Sequence, residues 1–182
     1  MDRGFFLSLI IGFGLAIALT YVFNWPSRRY FVDAEFLSTD DFKQKYPEKY
    51  WIGKIYPAFI WICMFFLLVM YTLIFLLFLL NSDLLPFIIP ITFFPFILAS
   101  DATSTGVFEV VTKISRRKRN IREVYKLPSE EWGPHRKYCY GEVVRKAGKS
   151  RILLGIMVLM VDIVAIVIVA SNSELMNFGV IS

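Results

Sequence analysis

The side chains able to do covalent or metal chemistry are few, and their spacing restricts them further. The chain has one histidine, His135, and two cysteines, Cys63 and Cys139. It contains neither a CxxC pair nor an HExxH run, so the usual zinc spacings are excluded and no metal-ligating residue is assigned. His135 and Cys139 are four apart and would share a helical face, as a Cys–His nucleophile requires. Gly133-Pro134 interrupt the chain just before them, so a loop histidine and an incidental thiol is the favoured reading. Gly148-Lys149-Ser150 matches the end of a phosphate-binding loop, but the glycine that should open such a loop is replaced by Val143. No glycosyl, phosphoryl or redox signature is found. No catalytic residue, cofactor-binding residue or cofactor is therefore assigned, and an enzyme is the less favoured class.

Three carboxylates in apolar surroundings are more pointed. Asp162 is the eleventh residue of the 19-residue run 152–170. That places it near the bilayer centre, where an ionised carboxylate costs about 2.5–3.5 kcal/mol and must be protonated, solvated or paired. The apolar runs hold no Lys or Arg, so its expected partners are Thr20, Tyr71, Thr72, Thr92, or a basic residue of another subunit. Asp101 and Glu109 are eight apart with Thr105 between them, two turns and about 12 Å along one helical face. If that helix stays embedded they line a cation or proton path. If the membrane ends near Asp101 they form a solvated face, which is the favoured reading.

The run Arg116-Arg117-Lys118-Arg119, with Lys113 and Arg122 nearby, falls where anionic headgroups lie, each residue contributing about 1 kcal/mol of attraction near such a surface. Contact with lipid headgroups is preferred over an acidic protein partner. Nucleic acid is not expected, since no aromatic and basic repeat is present to stack bases.

The elements that position these residues are membrane spans. The sequence is 57% hydrophobic and 19% charged over 182 residues, with mean hydropathy +0.58, more apolar surface than a soluble core of this size holds. Residues 4–23, 55–80, 84–111 and 152–170 are each long enough to cross roughly 30 Å of hydrocarbon. The expected fold is an all-α membrane protein, a single domain of four transmembrane helices with two basic and aromatic cytoplasmic loops, 24–54 and 112–151. In the first span Gly4, Ser8, Gly12, Ala16 and Thr20 recur every four positions, a stripe that admits close approach of another helix, with Gly14 and Ala18 a neighbouring pair. Ala16-Ile17-Ala18 resembles a signal-peptide cleavage site, but Asp2 and Arg3 leave no basic excess before it. Ser38-x-x-Asp41 before Phe42 reads as a capping box opening a short interfacial helix that ends before Pro47. The rings of Trp25, Tyr30, Tyr50, Trp51 and Tyr56 suit headgroup level. Asn81-Ser82-Asp83 forces the second and third spans into a hairpin, and Pro90 and Pro95 kink the third. Beyond it the chain is expected to continue helically through Lys126, with a short helix over 141–146 leading into the last span.

Orientation follows from charge. Of the twenty Lys and Arg, nineteen lie in loops 24–54 and 112–151, which places both loops in the cytoplasm and both termini outside. The compartment facing Cys139 is then a reducing one. Three function classes are carried forward. The favoured one is a non-catalytic integral-membrane subunit or scaffold that docks with other membrane subunits through its helices and basic loops. The second is a small ion- or proton-coupled transporter or channel using Asp101, Glu109 and Asp162. The third is an interfacial lipid-modifying enzyme.

Overall fold

A computed structural model describes residues 3–31, 34, 36–79, 85–118 and 136–178. Four helices are long and apolar enough to cross a membrane, so the chain is a multi-pass membrane protein. They are α1 (Arg3–Tyr30), α4 (Tyr56–Leu79), α5 (Leu85–Thr112) and α6 (Glu142–Phe178), and two short helices, α2 (Thr39–Lys45) and α3 (Pro47–Lys54), precede α4. Helix α5 is central and packs against the other three long helices.

Several boundaries differ from the sequence expectation. Helix α1 does not stop at residue 23 but runs to Tyr30 through Pro26, whose missing N–H costs one main-chain bond near the helix end. Helix α2 is as expected, with Ser38 Oγ accepting from the Asp41 amide at 3.1 Å. The following helix α3, started by Pro47, was not anticipated. The last helix begins at Glu142, ten residues before the apolar run, so the short helix expected over 141–146 is its first turns.

The fold is mostly helical, but not wholly so. Rather than continuing as a helix towards Lys126, the chain leaves α5 at Lys113, in the left-handed region at φ 58°, and enters a strand. Strand β1 (Ile114–Lys118) pairs antiparallel with β2 (Arg136–Tyr140), Arg116 opposite Tyr138. Thr112 Oγ1 closes the helix, donating to the Phe108 carbonyl at 2.7 Å and accepting from the Ile114 amide at 3.2 Å. That satisfies end groups that would otherwise invite another turn.

The hairpin and loop 24–54 form one cap at the shared end of α1, α5 and α6. Leu37 and Tyr138 exchange two main-chain hydrogen bonds of 2.9 Å. Phe42 stacks on Tyr138 with centroids 4.8 Å apart, and both are buried with Phe108 and Ile114. A second cluster joins Phe31 to Cys139, Val144 and Ala147. Below the cap, α5 and α6 touch backbone to backbone. A Cβ on Gly106 would stand 2.6 Å from the Gly148 carbonyl oxygen, and one on Gly155 would stand 2.8 Å from that of Ala99. Ala99 and Gly106 match Gly155 and Gly148 at the same seven-residue separation, two turns on each helix. In lipid, where apolar surface supplies little drive, such contact lets the helices gain dispersion energy along their length.

Candidate functional site: a charged cavity beneath the cap

The site is built on the ends of three helices. Arg151 lies nine residues into α6, about 13 Å below its start. It reaches Glu109 on α5, and the two form an ion pair with side chains 10% and 1% exposed. Arg151 also donates to Ser27 Oγ of α1, and its guanidinium carbon lies 5.9 Å from the Phe31 ring centre. Ser115 of β1 donates to Glu109 Oε1 at 2.6 Å. One buried pair therefore ties α1, α5, α6 and the hairpin together, with its polar atoms shared among four elements.

Beside this pair lies a partly open cavity of about 770 Å³. Arg28, Ser115 and Arg116 line it at cap level, while Thr20, Leu98 and Asp101 line it about 15 Å further down the helices. Tyr56 and Thr105 share a hydroxyl hydrogen bond of 3.1 Å on its wall. Asp101, Thr105 and Glu109 thus face one cavity, as their spacing requires, but they are not a common solvated face. Asp101 is exposed there, whereas Glu109 is buried and neutralised.

Asp162 sits elsewhere. It is 8% exposed and turned into the chain. Its expected partners are engaged with others: Tyr71 with Thr92 at 2.5 Å, Thr72 with the Leu68 carbonyl and Thr20 with the Ala16 carbonyl. Among the described residues Asp162 Oδ2 has no hydrogen-bond partner.

The basic run is divided rather than continuous. Lys113 pairs with Glu142, which Arg145 also approaches at 3.6 Å. Arg116 turns to the cavity, 6.0 Å from the Tyr138 ring centre, and Arg117 and Lys118 are in β1. Arg119, Arg122 and His135 lie outside the described residues, as does the turn 81–83. The small-residue stripe of α1 faces inward at Ser8 and Gly12, which are buried, and a Cβ on Gly12 would lie 2.1 Å from the Pro90 carbonyl oxygen. Gly4 is helical, Ala16 is half-buried and Thr20 reaches the cavity.

Arg151 is the residue that sequence reasoning missed. The sequence places it last in loop 112–151, and its signal is that it is the basic residue abutting the final apolar run, where a long side chain folds back along its helix. Among the described residues no cluster of three or more His, Cys, Asp or Glu could hold a metal. No family model matches the chain, and neither a curated protein nor a solved structure matches it.

Proposed function

We propose that this protein is a non-catalytic integral-membrane subunit that docks with another membrane protein through the outer face of α1. The observation that carries this reading is the division of small residues on that helix. Gly12 is occupied by α5 of the same chain and Ser8 is buried, so the middle of the stripe singled out in the sequence is internal. Gly14 and Ala18, one turn apart, are exposed, and no atom lies within 4 Å of where a Gly14 Cβ would stand. A small-xxx-small notch facing lipid admits a second helix at close range. On this reading the cap is cytoplasmic, both termini lie outside, and basic residues of the cap meet anionic headgroups; the charge asymmetry of the loops supports that orientation.

Gly14→Leu tests the reading. It should remove co-purifying subunits in mild detergent while the chain's own melting temperature stays unchanged, because no intramolecular contact is disturbed. An unchanged set of partners in the variant, or a wild-type chain that purifies alone, overturns it.

A second reading, solute- or proton-coupled transport, is supported by the cavity with Asp101 on its wall beside the proline-bearing helix α5. Here the purified chain alone moves a solute or protons across liposomes, and Asp101→Asn stops it. No flux above protein-free liposomes removes this reading.

A further inference from the structure

The outer face of α1 carries a charge as well as a notch. Gly14, Ala18, Trp25 and Arg29 are spaced four, seven and four apart, so they fall within about 60° of one another around the axis, on the side away from Gly12 and its contact with α5. All four are exposed. The Arg29 guanidinium carbon lies 5.1 Å from the centre of the Trp25 ring and 5.7 Å from that of Tyr30, and among the described residues no carboxylate is within ion-pair distance of it. Its place over Trp25 sets this cation about 10 Å, two turns, from Ala18 along the helix.

We propose that the helix seated on this face belongs to a different protein and carries an Asp or Glu that pairs with Arg29; the inference rests on the docking reading above. A helix laid over Ala18 and Trp25 strips water from the guanidinium, and a cation desolvated without a counter-charge is costly, so the occupant has to bring an anion to that place. The rings engage the guanidinium through its charge and leave its donors for an acceptor. A carboxylate fits that need, taking two parallel hydrogen bonds from the planar fork. A second copy of this chain does not. Two copies share one orientation in the membrane, so pairing through this face on both brings Arg29 against Arg29, and like charges at an interface repel. The partner's carboxylate therefore lies at the cap end, two turns beyond the point where its helix crosses Ala18.

The probes are synthetic leucine-rich transmembrane peptides with a central Gly-xxx-Ala and a Glu, Gln or Lys seven residues after the Ala. Their binding to the full chain is read by energy transfer in nanodiscs of phosphatidylcholine. We expect the Glu peptide to bind about ten-fold or more tightly than the other two, and Arg29→Glu to reverse the order in favour of the Lys peptide. That reversal is a gain of binding, which a misfolded variant cannot produce. Three peptides bound alike, or none bound, overturn the inference. The docking reading is judged separately by Gly14→Leu: native subunits released there, with no charge preference here, sink the carboxylate alone. Photo-crosslinking from Tyr21 to a second copy of the chain overturns the exclusion of self-pairing. A final arm adds phosphatidylglycerol to the nanodiscs. Selective retention of that lipid by the wild type and not by Arg29→Gln in native mass spectrometry, with loss of the Glu preference, makes a lipid phosphate the occupant and overturns the carboxylate.

Discussion

At the scale of single residues, Glu109 and Arg151 carry the largest consequence for stability. Both charges are withdrawn from water, and removing one leaves the other buried without compensation, which typically costs about 3–5 kcal/mol. Glu109→Gln and Arg151→Met should each lower the melting temperature in detergent sharply. The double variant Glu109→Leu with Arg151→Met should recover much of that loss, because an apolar pair of similar volume avoids the desolvation cost. A double variant as unstable as the worse single one would show that Ser27 and Ser115, not the pair itself, hold the arrangement. Asp162 differs in kind. Since it is turned into its own chain, Asp162→Asn should leave any assembly intact; dissociation of a co-purifying subunit would contradict this placement. The sequence told that Asp101, Thr105 and Glu109 share a face, because helical spacing is local information. It did not tell that Glu109 is buried, because its counter-ion comes from a helix more than forty residues onward.

At the scale of elements, the close crossings decide which substitutions the bundle tolerates. Gly12→Leu places a branched side chain against the Pro90 carbonyl, and Gly155→Val does the same against Ala99 and Thr103. Both should destabilise the isolated chain by several kcal/mol through overpacking, in contrast to Gly14→Leu. Equal melting temperatures for Gly12→Leu and Gly14→Leu would show that α1 and α5 do not approach as closely as described. The spans themselves were legible, since runs of apolar residues of bilayer length leave little freedom. Their ends were not. Hydropathy marks where apolar residues stop, whereas α1 and α6 continue as helices through polar turns into the cap, held there by Phe31, Val144 and Ala147. The hairpin was also invisible locally: β1 is stabilised by a partner strand that begins eighteen residues after it ends, and its Arg-rich sequence reads equally well as a helical extension.

At the scale of the whole molecule, the described parts of both loops build one cap at one end of the long helices, which agrees with an even number of crossings between them. If that end is cytoplasmic, a cysteine placed at Ser38 in a background lacking Cys63 and Cys139 should resist an impermeant thiol reagent in intact cells and react after permeabilisation, while one at Ser182 should react in both. Labelling of Ser38 from outside would reverse the orientation. The Arg151 tie has a bearing on how the protein is made. Glu109 is synthesised and threaded into the membrane boundary well before its counter-ion exists, and the Ala99 to Gly106 face of α5 is laid down before anything covers it. A nascent chain that stalls before residue 142 therefore displays an uncompensated carboxylate and a bare helix face together. Arrival of α6 abolishes both at once, giving the insertion and quality-control machinery a sharp physical distinction between an unfinished product and a finished one.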